Sequence, residues 1–329
     1  MTATAPTTTV TMGKALNLAL HDALRDDDRV LVFGEDVGKL GGVFRVTDGL
    51  NDEFGRRVFN TPLAEGTIAG VAVGLAVKGF RPVAEMQFDA FSYPAFEQVT
   101  CHVAKYHSRT GGACPMRLVI RIPYGGNIGA IEQHSESPET YYVHTAGLKV
   151  VTPSTPADAY GLLTAAIRDP DPVIFLEPKS RYWMRQDLDL PVPPLPLDRA
   201  RVAREGRDAT IIAYGPTVQV ALAAAEAADK EGTSLEVVDL RSLAPLDLDT
   251  LAASVRKTRR AVVVHEAPVF MGLGAEIAAR LMHDLFDVLA APIERVGSPT
   301  VPYPPARFEK LFLPDADRIL EAVDRTREY

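Results

Sequence analysis

Three side chains in this 329-residue sequence carry types and spacings suited to proton chemistry. Glu65 is the sole ionisable group between Thr61 and Lys78, inside a glycine-rich apolar segment. Thr61 followed by Pro62 predicts a helix cap with proline in the first turn, so Glu65 would fall at the head of a helix. An acid there has a plain use, which is to offset the positive end of the helix dipole. It stands four residues after the cap rather than the three that a capping box needs. Set among Leu63, Ile68 and Val71, its carboxyl would be poorly hydrated and of raised pKa, able to hold a proton against a ligand nitrogen. Glu35 follows the apolar run Val30 to Phe33, at the carboxyl end of an expected parallel strand, where open α/β sheets keep their ligands. Its plain alternative is a solvated turn acid. His134, in Gln133-His-Ser135, is delivered by the glycine loop Pro123 to Ala130. A loop histidine is usually only solvated, but titration near neutrality also suits it to act as acid, base or anion contact.

The elements that must position these groups alternate strand and helix. The pattern Ala15, Leu16, Ala19, Leu20, Ala23, Leu24 has helical period, and the strand Val30 to Phe33 follows it. Gly66, Gly70 and Gly74 recur every four residues, with Ala69, Ala72 and Ala76 between them. Glycine inside a helix costs roughly 1 kcal/mol relative to alanine, so this stripe predicts another backbone packed very close. Strands are expected at Pro82 to Phe88, Arg117 to Ile122, Leu148 to Val151 and Pro172 to Leu176. Helices are expected near Thr47 to Phe54, Tyr93 to His107 and Ala157 to Arg168. Pro191, Pro193, Pro194 and Pro196 mark a stiff extended linker, after which the alternation resumes. The reading is an α/β chain with a loose leader over 1–11, a first domain over 12–178, a linker over 179–199 and a second domain over 200–329.

Composition excludes some classes of function. A formal charge of −8 with no basic run argues against a nucleic-acid or anionic-membrane surface. The longest apolar run, Ile68 to Val77, is half of what a bilayer requires. Cys101 and Cys114 have neither metal-ligand nor disulfide-framework spacing, which fits a reducing, cytoplasmic compartment. There is no Walker loop, Rossmann fingerprint, zinc spacing or nucleophile elbow.

Ordered segments across nearly the whole chain carry a resemblance. They are Val32-Phe-Gly-Glu-Asp-Val37, Asn60-Thr-Pro-Leu-Ala-Glu65, Glu85-Met-Gln-Phe88, His134-Ser-Glu-Ser-Pro-Glu139, Gly147-Leu-Lys-Val-Val-Thr-Pro153, Asp239-Leu-Arg-Ser-Leu-Ala-Pro-Leu-Asp247 and His265-Glu-Ala-Pro268. The sequence resembles the beta subunit of the thiamine-diphosphate-dependent component of 2-oxo acid dehydrogenase complexes, in the transketolase superfamily. The stretch around His134 is most similar to the branched-chain 2-oxo acid members. The resemblance implies two doubly wound domains, a transketolase-like pyrimidine-binding domain followed by a transketolase C-terminal-like domain. It implies that Glu65 hydrogen-bonds N1′ of the aminopyrimidine, that Phe91 and Leu63 line the pyrimidine, that Glu35 joins a proton relay and that His134 meets substrate or an incoming lipoyl group. In relatives a potassium ion is held at positions matching Met116, Leu118, Val119, Ala166, Asp169 and Asp171, so these are candidate ligands.

The family's Gly-Asp-Gly motif for Mg²⁺ and diphosphate is missing, and Thr47-Asp-Gly49 is its nearest match. The resemblance therefore implies an α₂β₂ assembly in which an alpha subunit holds Mg²⁺ and the diphosphate, and the glycine helix packs on a neighbouring subunit. It also implies transfer of the acyl unit to the lipoyl domain of an acyltransferase core. Rival readings are the same role with pyruvate or acetoin, a non-catalytic docking subunit, and a self-sufficient transketolase or synthase. The missing metal motif disfavours the last.

Overall fold

Runs of residues apolar on both faces build the sheet that carries Glu35. The computed structural model describes residues 7–329, which divide into two units: 7–124 with 141–197, and 125–140 with 198–329. In the first unit, Thr8–Thr11 is a strand (β1) leading into helix α1 (Met12–Asp26), whose first turn is capped by Thr11 Oγ1 accepting the Lys14 N–H at 3.1 Å. Strand β2 (Val30–Gly34), helix α2 (Leu50–Phe54), strand β3 (Val58–Asn60), helix α3 (Glu65–Val77), and strands β4 (Arg81–Glu85), β5 (Val119–Tyr124) and β6 (Lys149–Val151) follow. Helix α4 (Pro156–Arg168), β7 (Val173–Pro178) and β8 (Arg185–Leu188) complete it. Its parallel strands run in the order β3-β2-β4-β5-β7-β6. Every residue of β5 and β7 is buried, as strands covered on both faces must be. Leu16, Leu20 and Leu24 of α1 share one core with Leu162 and Leu163 of α4 and with Val32 and Val83 of the sheet.

The second unit holds β9 (Arg201–Arg204), β10 (Ala209–Ala213), α5 (Thr217–Lys230), β11 (Leu235–Asp239), α6 (Leu248–Thr258), β12 (Ala261–Pro268), α7 (Leu273–Leu285), β13 (Glu294–Ser298) and α8 (Ala316–Arg325). The strand order is β13-β12-β10-β11-β9, parallel except for β9 at the edge. Alanines of α5 and Ile319 of α8 pack on Ile211, Val237 and Val264. No helix among the described residues is long and apolar enough to cross a membrane.

Four expectations change. The leader is not loose throughout: Thr8–Thr11 pairs antiparallel with Arg185–Leu188, while residues 1–6 lie outside the described residues. The segment 179–199 is not a bare linker. It contains a turn and β8, and its Leu188 and Leu197 enter the first unit's core, because apolar side chains anchor a chain that the prolines keep extended. The helix foreseen over Tyr93 to His107 is not uniform: a tight turn at Ala90–Ala95, where Pro94 lacks a donor, runs directly into one α-helical turn at Phe96–Gln98 and a wide turn at Val99–Val103, and the short helix Tyr106–Arg109 follows after a two-residue interruption. Finally, 125–140 groups with the second unit rather than the first.

Candidate active site

The strand order reverses at β2, with β3 on one side and β4 on the other. Open α/β sheets leave a crevice at the carboxyl ends of the strands at such a point. Gly34 pairs with Asn60 on one neighbour and with Glu85 on the other. A Cβ on Gly34 would lie 2.5 Å from the Glu85 carbonyl oxygen, so glycine is what lets the strands close here. Glu35 follows directly and is 2% exposed. Both of its carboxylate oxygens are buried without a hydrogen-bond partner among the described residues. Burial pushes this carboxyl up to about 7, and the charges of Glu65, Asp36 and Glu85 push the same way.

Thr61 does not cap α3. Its N–H donates to the Gly34 carbonyl at 2.9 Å, extending the β3 ladder, and the helix starts at Glu65 with Ala64 before it and no side-chain cap. Glu65 is half-buried at the first helical position, and its charge reaches Glu35. The expected apolar shell around it is absent, because Leu63 is 78% exposed and Val71 faces outward while Ile68, Ala69, Ala72 and Ala76 turn inward. The desolvated acid of this rim is Glu35. The glycine stripe is also only partly covered. A Cβ on Gly66 would sit 3.3 Å from the Pro94 carbonyl, one on Gly70 would meet the Gln98 side chain at 3.6 Å, and one on Gly74 would meet nothing.

The turn that Gly66 packs against carries Phe91, which meets Phe88 edge-on at 5.6 Å, and Phe88 in turn meets Phe44 at 5.5 Å. A buried ion pair, Lys179 with Asp89, and a 2.6 Å hydrogen bond between Ser92 Oγ and the Tyr142 hydroxyl hold this turn. His134 belongs to the other unit. It ends a short turn, Glu132–His134, with its N–H on the Ile131 carbonyl at 3.0 Å, and its side chain is half-buried.

Of the residues suggested for potassium, Asp169 and Asp171 form an acidic turn whose charge is met within the chain. Asp169 accepts two contacts from Lys149 Nζ, at 2.7 and 2.8 Å, and Asp171 pairs with His107 Nδ1 at 2.7 Å. Burial acts upward on Asp171, but hydrogen bonds from His107 and Lys149 hold it below the usual carboxylate range. The Leu118 carbonyl accepts the Val173 N–H at 3.0 Å and that of Ala166 accepts the Asp169 N–H at 3.3 Å. A cation there would depend on the spare capacity of backbone carbonyls.

A model of the transketolase pyrimidine-binding domain matches residues 8–184, and one of the transketolase C-terminal domain matches residues 198–319. A solved chain described as split gene transketolase, inactive beta4 tetramer, superposes with a TM-score of 0.80 at 25% identity, covering 96% of this chain and 98% of that one. The 3-methyl-2-oxobutanoate dehydrogenase subunit beta of Mycobacterium tuberculosis is 56% identical over 321 residues, 97% of this chain and 92% of that protein. The pyruvate dehydrogenase E1 component subunit beta of Leifsonia xyli is likewise 56% identical, over 97% of this chain and 95% of its own length. The chain belongs to the beta subunits of the 2-oxo acid dehydrogenases.

This beta subunit is thus part of a thiamine-diphosphate-dependent enzyme, and its rim can be tested against that cofactor. An aminopyrimidine is flat and presents a basic ring nitrogen beside an exocyclic amine. Phe91 offers an aromatic surface, Glu65 a carboxyl, and Glu35 two buried acceptors without partners, so the residues fit the pyrimidine half. The diphosphate half has no such match. The Asp48 side chain is 67% exposed beside Arg45, and no three His, Cys, Asp or Glu among the described residues converge as metal ligands.

One buried charge cluster next to the candidate site is not foreseen from the sequence. Arg121 is fully buried, with Nε and Nη2 on the two Glu177 oxygens at 2.6 and 2.9 Å and Nη1 on Glu85 at 2.6 Å. Burial would lower its pKa, but the two carboxylates more than offset this, so it stays charged. Two acids thus share one guanidinium, and one of them, Glu85, lies in register with Gly34 and adds its charge to the field at Glu35. The signal was available: a charged residue inside each of three apolar strands needs a partner.

Proposed function

We propose that this chain supplies the pyrimidine-binding half of a branched-chain 2-oxo acid dehydrogenase, oxidatively decarboxylating substrates of the 3-methyl-2-oxobutanoate type and passing the acyl unit to a lipoyl group. The single observation that carries the assignment of the site is Glu35, a buried acid with both oxygens unpartnered, at the sheet's switch point beside Glu65. Thiamine diphosphate, when bound, supplies the nucleophilic carbon and the electron sink. Glu65 holds a proton against the pyrimidine ring nitrogen, Phe91 and Leu63 orient the ring, and Glu35 accepts from the exocyclic amine and relays a proton. His134 meets the substrate or the lipoyl group.

The alpha subunit of an α₂β₂ assembly would hold Mg²⁺ and the diphosphate, and the outward side of α3, with Gly74 bare, would pack on a neighbouring subunit. The description of the split-gene transketolase beta chain as an inactive tetramer supports reading such a chain as half of an enzyme. The Mycobacterium relative's name supports the branched-chain substrate, and the equally similar Leifsonia protein favours pyruvate as a second reading.

The test is reconstitution with the alpha subunit and steady-state rates on 3-methyl-2-oxobutanoate and pyruvate. Glu65→Gln should lower decarboxylation by about a hundred-fold or more while leaving assembly intact. Activity within a few-fold of wild type would remove Glu65 from the mechanism, and a preference for pyruvate would transfer the substrate to the second reading.

A further inference from the structure

We infer that Glu266 and Glu309 are positioning residues: their carboxylates clamp the backbone of the loop Gly125–Thr140 and thereby fix the placement of His134. The inference rests on the reading of His134 given above. The loop has almost no regular structure of its own, yet its buried backbone donors must still find acceptors. Three consecutive N–H groups do so at its start. Gly125 N–H donates to the Glu136 carbonyl at 2.9 Å, tying the two arms of the loop together. Gly126 N–H donates to Glu266 Oε2 at 3.0 Å, and Asn127 N–H to Glu309 Oε1 at 2.8 Å. Hydrogen bonds to an ionised acceptor are roughly twice as strong as neutral ones.

The clamp is itself braced. The Tyr303 hydroxyl donates to Glu309 Oε1 at 2.5 Å and accepts from the Asn127 N–H at 3.3 Å. Glu266 and Glu309 are 9% and 7% exposed. The loop is shaped to reach them: Gly125 has φ +83° and Asn127 φ 64°. A Cβ on Gly126 would lie 2.1 Å from the Tyr303 hydroxyl oxygen, so the backbone comes this close only because residue 126 has no side chain. The far arm is pinned too, since the buried Glu139 accepts the Tyr214 hydroxyl at 2.6 Å. Between these anchors His134 sits in a single tight turn. Both acids accept hydrogen bonds from the loop backbone, and Glu309 accepts the Tyr303 hydroxyl as well.

The experiment uses the full chain reconstituted with the alpha subunit, in wild-type form and as Glu266→Ala, Glu266→Gln, Glu309→Ala, Glu309→Gln and His134→Ala. Two readouts are taken: hydrogen exchange at the Gly126 and Asn127 amides, and turnover with a lipoyl acceptor resolved into kcat and KM. The alanine variants should exchange these amides about ten-fold faster, with β10 amides unchanged. They should lose about ten- to a hundred-fold in kcat, as misplacement of a reacting group does. The glutamine variants keep an acceptor oxygen and should recover most of that loss, which a general loss of stability would not allow. If an alanine variant does not fold, the glutamine variant decides, with exchange expected about three-fold faster. Unchanged amide exchange overturns the clamp, and so does faster exchange with turnover within two-fold of wild type while His134→Ala is impaired. Unimpaired turnover in His134→Ala instead overturns the reading of His134, and the exchange result alone then decides the clamp.

Discussion

Replacing Glu35 with glutamine isolates the electrostatic cost of the rim. In the folded chain the carboxyl titrates at about 7 rather than the ordinary 4.5, chiefly because burial disfavours its charged form. A carboxyl displaced from 4.5 to about 7 corresponds to at most ~3 kcal/mol. The sign follows from proton uptake. Between pH 4.5 and 7 the folded state keeps a proton that the unfolded state releases, so this contribution to stability is present below pH 4.5 and is lost as pH rises through 7. Glu35→Gln cannot titrate. Its stability relative to wild type should therefore climb by up to ~3 kcal/mol between pH 4.5 and pH 8 and then level off. Urea denaturation of the two chains at several pH values measures this difference directly. Any fixed packing cost of the amide subtracts out, because it is the same at every pH. A difference that does not change with pH, or one that moves in favour of the wild type as pH rises, would refute the argument that burial controls this acid.

Two further outcomes follow from packing. Arg121→Met would leave Glu85 and Glu177 buried without their cation, a change expected to cost about 3–5 kcal/mol in denaturant unfolding. Gly74→Ala meets no atom within 4 Å and should stabilise the isolated chain by roughly 0.5–1 kcal/mol, while impeding assembly with neighbouring subunits in sedimentation velocity. An assembly unaffected by that methyl group would show that this side of α3 is not an interface.

The fold was legible wherever one pattern served one purpose. The period of α1, the apolar runs of β2 and β5 and the alternation after Arg199 all translate directly into elements, because burial of those faces is what holds them in place. The Tyr93 to His107 stretch was legible as helical but not in its pitch, since Pro94 tightens only the first turn and the apolar spacing does not foretell the wide turn at Val99–Val103. In the site, the position of Glu35 at a strand's carboxyl end was legible. The dryness assigned to Glu65 was not, because a helix wheel does not say which side faces the sheet, and Leu63 and Val71 face away from it. Arg121 was passed over because strand patterning counts a lone charge as noise, and only the register that sets β5 between β4 and β7 shows its two partners.

The assignment of residues 125–140 to the second unit means that the polypeptide passes from one unit to the other three times, at 124, 140 and 197. Scission at the proline-rich stretch alone would not yield two self-contained fragments. The amino-terminal piece would still carry the histidine-bearing excursion but would leave both carboxylates that grip it on the other piece. A division of the polypeptide at that stretch therefore keeps the loop and its two carboxylates together only if the pieces stay associated, as in complementation between co-expressed fragments.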